Sequence, residues 1–121
     1  YVVVGSATLS VRGIRKHKDI DLLVSNSLWQ DLLTRGWKKD SNPQKKTNII
    51  HPTEDIEADK TMDWLDTPNP PSFQHLLKNA DLIEGIAFIS LQDLREVKVL
   101  MGREKDIKDI ILIDECCAKI D

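Results

Sequence analysis

Apolar and polar positions along this chain change rhythm several times, and each change marks an element. Tyr1-Val2-Val3-Val4 is a short β-branched run that reads as a buried strand and stops at Gly5-Ser6. Ala7 to Arg12 then reads as a helix of roughly two turns. A basic loop, Arg15-Lys16-His17-Lys18, leads into a second strand, Asp19 to Val24. Alternate strand residues share a face, so Asp19 and Asp21 project together while Ile20 and Leu22 project to the other side.

The rest of the pattern predicts a mixture of elements. Leu28, Trp29, Leu32 and Leu33 form one apolar helical face after a Ser25 or Asn26 cap, with Gly36 as the stop. Lys38 to Lys46 is polar, contains Pro43 and reads as a loop or loose hairpin, whose basic residues Lys38, Lys39, Lys45 and Lys46 could either face phosphates or simply be solvated. Two short strands follow, Thr47 to His51 and Asp55 to Asp59. The second alternates, with Ile56 and Ala58 on one side and Glu57 and Asp59 on the other. Asp63 to Pro71 is dense in proline and must be a loop, with Trp64 packed beneath it. Ser72 caps a short helix, Ile83 to Ile89 reads as a last strand, and Ser90 caps a helix ending at Gly102 with Asp93 as the capping-box partner. In these last helices Leu91, Leu94, Val97, Val99 and Met101 are expected to pack. Ile107, Ile110, Ile111 and Ile113 are expected to be buried on a second helix, Asp106 to Ile120. The expectation is a single α+β domain over 1–121, a mixed sheet with helices packed on it.

Composition narrows the class. The chain has 121 residues, 40% hydrophobic and 31% charged, which suits a folded core. No run approaches the ~20 apolar residues of a membrane span. A net charge of −3 leaves no bulk electrostatic footprint for a long nucleic-acid duplex. Cys116 and Cys117 are adjacent in a helical pattern, where a bridge between them would be strained; reduced thiols in a cytoplasmic protein are expected. His17, His51 and His75 fit no metal spacing. The opening at Tyr1, inside the first strand, suggests that the native N-terminus lies upstream.

The candidate chemistry lies in the first two strands. Two carboxylates side by side on a strand repel unless a cation sits between them, and hard oxygen ligands suit magnesium or manganese. Gly5 allows close approach to the backbone, and the amides opening the next helix favour phosphate. Together these are equipment for a nucleoside triphosphate. No Gly-Lys-Ser/Thr ending follows Gly5 or Gly13, which excludes a Walker-type loop.

Gly5-Ser6, twelve residues, then Asp19-Ile20-Asp21 resembles the signature of the nucleotidyltransferase superfamily, the fold shared with DNA polymerase beta. The resemblance implies a third acidic residue on a later strand. Asp59 and Glu57 are both candidates. Asp59 is slightly favoured by its apolar-acidic-apolar-Asp context, although Lys60 follows where the family has an apolar residue. Lys98, then Arg103-Glu104-Lys105-Asp106 and Asp109, is similar to a late motif of minimal, abortive-infection-type toxins in this superfamily.

The resemblance implies roles for these residues. Asp19, Asp21 and Asp59 (or Glu57) would hold metal and carry catalysis. Gly5, Ser6, Lys98, Lys105 and Asp106 would serve the nucleotide, with Arg15 or Arg12 neutralising triphosphate charge. The implied activity is transfer of an NMP from an NTP to a small-molecule, tRNA-end or protein hydroxyl. The alternative is an inactive module of the same fold that binds a nucleotide or a partner protein, as in two-component toxin–antitoxin pairs.

Overall fold

The computed structural model describes residues 1–16 and 19–120. His17 and Lys18, read above as part of the basic loop before the aspartates, lie outside the described residues. Seven strands and five helices occur in the described chain: β1 (Val2–Val4), α1 (Ala7–Val11), β2 (Ile20–Leu23), α2 (Asn26–Thr34), β3 (Lys38–Lys39), β4 (Ile49–Ile50), β5 (Ile56–Asp59), α3 (Phe73–Lys78), β6 (Asp81–Ile83), β7 (Ile86–Phe88), α4 (Leu91–Met101) and α5 (Glu104–Ile120). They build an α+β architecture around one mixed sheet of order β3-β4-β5-β2-β1-β7-β6. No helix among the described residues is long and apolar enough to cross a membrane.

β1 runs antiparallel to β2, while β2–β5 and β1–β7 are parallel pairs. The register Val4↔Asp21, Asp21↔Glu57 and Leu23↔Asp59 puts those residues on one face of the sheet. That face is covered by a core drawn from α1, α3, α4 and α5, with Val2, Leu9, Leu23, Leu76, Leu94 and Ile113 fully buried. The opposite face carries Ala58, Ile49 and Val24 against Trp29 of α2, with Leu22, Leu28, Leu32 and Leu33 packed around them. The alternation read in the β2 sequence therefore divides the two cores.

Serine hydroxyls cap three helices: Ser25, Ser72 and Ser90 accept from the amides of Leu28, His75 and Asp93. Each satisfies a donor that the helix start leaves orphaned. The Asp93 carboxylate faces His75 at 3.3 Å instead of returning to its cap. Gly102 ends α4 in the left-handed conformation, φ 62°.

Three expectations are corrected. The stretch 83–89 is a hairpin: Glu84 and Gly85 both have positive φ, and Ile83 pairs with Ile86 across that turn. The apolar face predicted for α5 is also displaced. Ile107 and Ile111 are each 53% exposed, whereas Asp106, Asp109 and Ile113 are buried. Val99 of α4, expected to pack, is likewise 53% exposed. The reason is electrostatic: α5 turns toward the body the aspartates that meet cations from α4 and from the segment after α1.

Candidate active site

An open cavity of about 1070 Å³ lies on the sheet face beneath α4 and α5. Its acidic wall is built by strand register. Asp21 on β2 stands directly across from Glu57 on β5. Two carboxylates set side by side disfavour each other's charged form. Burial raises Asp21 above the usual carboxylate range and Asp19 adds to the rise, while Lys45 and Lys98 oppose it. Glu57 is raised first by burial and then by the charge of Asp21. Asp19, exposed at the rim, completes this acidic edge.

Gly5 explains how β1 can approach so closely. A Cβ there would lie 2.6 Å from Asp21 Oδ2, and its φ is +73°. Only glycine meets both demands without strain. Ser6 follows at the start of the five-residue α1 and is drawn across the cavity, its Oγ accepting from Lys98 Nζ at 3.3 Å.

The opposite wall is basic. Lys98 Nζ lies 2.8 Å from Asp109 and 3.5 Å from Asp106. Arg103 grips Asp106 through two nitrogens at 2.6 and 3.1 Å, and Arg15 grips Asp109 at 2.7 and 3.0 Å. Burial pushes the Asp106 carboxyl up, but bonds from Arg103 and the charge of Lys98 outweigh it and hold it below the usual range. The Asp109 carboxyl is likewise lowered, burial being outweighed by Arg15 and Lys98. On this wall Arg15, Lys98 and Arg103 meet Asp106 and Asp109.

The remaining sequence candidates fall in different places. Lys105 lines the cavity from the first turn of α5. Asp106 has no exposed surface and is spent on Arg103 and Lys98, so it belongs to the supporting shell. Asp59 also lines the cavity, but its Oδ1 accepts from the Thr47 hydroxyl and from the amides of Lys60 and Thr61. Of the two later acids, Glu57 is therefore the one brought to Asp21, and Asp59 anchors the 40–48 loop. Arg12 is turned away, bound to Asp81 and to the carbonyls of Thr8 and Ile89. Trp29 is a core residue whose indole donates to the Thr47 carbonyl at 2.7 Å. Cys116 and Cys117 are free thiols.

The sequence offers Lys38, Lys39, Lys45 and Lys46 alike, and of these Lys45 lines the cavity; Arg103 had no assigned role. The signal that singles out Lys45 is the spacing of Asp40, Asn42 and Asn48 around it, turn-forming side chains that fix a loop. For Arg103, the signal was its position three residues before Asp106.

Among the described residues, no group of three or more His, Cys, Asp or Glu side chains converges closely enough to hold a metal by itself. The Asp21–Glu57 pair still suits a hard divalent ion, because magnesium commonly takes one or two carboxylates and fills its shell with water and substrate phosphate. Two half-buried carboxylates opposite each other repel when both are ionised, and a divalent ion held between them would relieve that repulsion. Comparison of the chain with protein-family models, curated proteins and solved structures returns no match.

Proposed function

We propose that this chain is a metal-dependent nucleotidyltransferase, with a nucleotidyltransferase-like fold, that moves an NMP from an NTP to an acceptor hydroxyl. One observation carries the reading: a single cavity sets the Asp21–Glu57 pair on one wall and the Ser6–Lys98 contact, backed by Arg15 and Arg103, on the other. A magnesium triphosphate has this same polarity, a cation on one side and unneutralised phosphate oxygens on the other. Magnesium or manganese, when bound, would neutralise charge on the triphosphate and on the leaving pyrophosphate.

The chain's own residues have distinct tasks in this reading. Asp21 and Glu57 hold the ion, with Asp19 beside them at the mouth. Gly5 keeps the backbone clear of Asp21. Ser6 and Lys98 face the phosphate chain, and Arg15 and Lys105 extend the positive wall. In transfer, the acceptor oxygen forms a bond to the α-phosphorus, the bond to pyrophosphate breaks, and the hydroxyl proton passes to a carboxylate. A small molecule, a tRNA end or a protein side chain would each present a suitable hydroxyl.

The test is calorimetric titration of each NTP, with and without magnesium, against wild type and an Asp21→Asn/Glu57→Gln variant. It is followed by transfer of α-labelled NMP to candidate acceptors. Saturable binding that needs both metal and the carboxylates is expected; metal-independent binding, or binding unchanged in the variant, would sink the assignment. A second reading is a nucleotide-binding module without turnover, completed by a partner protein. The lack of a three-carboxylate group among the described residues favours it, and tight metal-dependent binding with no transfer to any acceptor class would select it.

A further inference from the structure

The segment from Asp40 to Asn48 is built as a rigid loop. The amide of Asn42 donates to Asp40 Oδ1 at 2.9 Å, Gln44 to Asn42 Oδ1 at 3.0 Å, and the Asn48 side chain to Asp40 Oδ2 at 3.0 Å. The backbone closes the turn on both sides of Lys45, through Lys45 N to Asn42 O and Asn48 N to Lys45 O. Thr47 then ties the loop to Asp59 and to the Trp29 indole. This loop holds Lys45 half-buried on the cavity wall.

Its ammonium forms no hydrogen bond or ion pair with any described side chain; it lies over the face of Trp64, 5.8 Å from Nζ to the ring centroid. That is close to the outer limit for a cation–π interaction and a weak return for a partly desolvated charge. A lysine that merely shielded the acidic pair would close to ion-pair distance of Asp21 or Glu57. Lys45 instead stays within electrostatic reach of both, on the loop side of the cavity, while Lys98 reaches Asp21 electrostatically from α4.

We propose that Lys45 is a phosphate-binding residue of the nucleotide site, parked against Trp64 until a metal-bound polyphosphate enters between it and Lys98. This rests on the nucleotide reading above. In the bound state Lys45 leaves the indole and donates to phosphate oxygens, so recognition falls on the phosphate chain and is blind to the base.

The experiment uses magnesium tripolyphosphate, which has no base, beside the four magnesium NTPs. Affinity is measured by calorimetry for wild type, Lys45→Met and Lys45→Arg, and binding is also followed by tryptophan fluorescence in wild type and Trp64→Phe. Losing one charged hydrogen bond should weaken Lys45→Met about tenfold toward tripolyphosphate and NTP alike, with Lys45→Arg largely restored. Tripolyphosphate should change the fluorescence of wild type and not of Trp64→Phe. If wild type binds both ligands and Lys45→Met binds them equally well, the role of Lys45 is overturned while the nucleotide reading stands. A loss confined to the NTPs would overturn the phosphate assignment. If wild type binds neither ligand, both readings fall. Circular dichroism confirms folding, and Lys45→Gln replaces the methionine variant if that one is unfolded.

Discussion

Replacing Asp109 with asparagine tests whether the basic wall is an ionic lattice or a loose collection of surface charges. Asp109 and Lys98 are 5% and 4% exposed and lie 2.8 Å apart. Removing the carboxylate's charge leaves a buried ammonium whose other anion, Asp106, is 3.5 Å away and already held by Arg103. Breaking a buried pair from one side costs about 3–5 kcal/mol. Because Asp106 and the Ser6 hydroxyl still face Lys98, the lower end applies, about 3 kcal/mol. For a chain of this size that corresponds to roughly 10 °C in Tm.

The companion variant decides the mechanism. Of the two cations that Asp109 holds, Lys98 is the buried one and Arg15 is 30% exposed, so Lys98→Met combined with Asp109→Asn should be more stable than Asp109→Asn alone. Urea unfolding followed by circular dichroism gives both values, and repetition at high salt should leave the loss largely intact, since buried pairs are poorly screened. A single variant within about 0.5 kcal/mol of wild type, or a double variant less stable than the single, would refute the reasoning.

Further outcomes follow from the same geometry. Gly5→Ala forces a left-handed alanine, costing about 1–2 kcal/mol, and drives a Cβ against Asp21, so Tm and manganese binding should fall together. Glu57→Gln should abolish metal-dependent NTP binding with little loss of stability. Asp59→Asn should do the reverse, since its main bonds are to Thr47 and the loop, and thermal melts beside titrations separate the two. The pH dependence carries two opposite signs. Asp106 and Asp109 have lowered pKa values, so their stabilisation is present above the unfolded carboxylate range and is lost as pH falls through their folded values. Asp21 and Glu57 have raised values, so without metal the protein gains stability as pH falls from neutral toward the unfolded range. Glu57→Gln should flatten that gain in a series of melts from neutral to acid.

How much of this was legible in the sequence depends on which rhythm carried the information. The period-two alternation of Asp19 to Val24 placed Asp21 on the face opposite Leu22, and the serine caps of α2, α3 and α4 stood at the expected positions. Hydrophobic periodicity failed on α5, where Ile107 and Ile111 outnumber Ile113 yet the buried stripe contains Asp106 and Asp109. An aspartate is buried when a cation is brought to it, and Lys98, Arg103 and Arg15 reach these two only through tertiary structure. The choice between Glu57 and Asp59 was beyond sequence for a related reason. Both share a strand face, and only the β2–β5 register puts Glu57 opposite Asp21 and leaves Asp59 to catch the Thr47 hydroxyl. No break in composition marks the 83–89 hairpin; its turn rests on Glu84 and Gly85 adopting positive φ, which an apolar run around a lone glycine hides.

The parallel pairing of β1 with β7 bears on how the protein is made. Val3 lies beside Phe88, and Arg15 beside Asp109, so the cavity is closed by residues far apart in the chain. Contacts so distant in sequence form slowly, because a long loop must close before they reward it. On the ribosome, Gly5, Ser6, Asp21 and even Lys98 emerge before the α5 aspartates that hold Arg15, Lys98 and Arg103 in place. A chain cut short before α5 carries Asp21 and Lys98 without the anchors that fix the wall of the cavity.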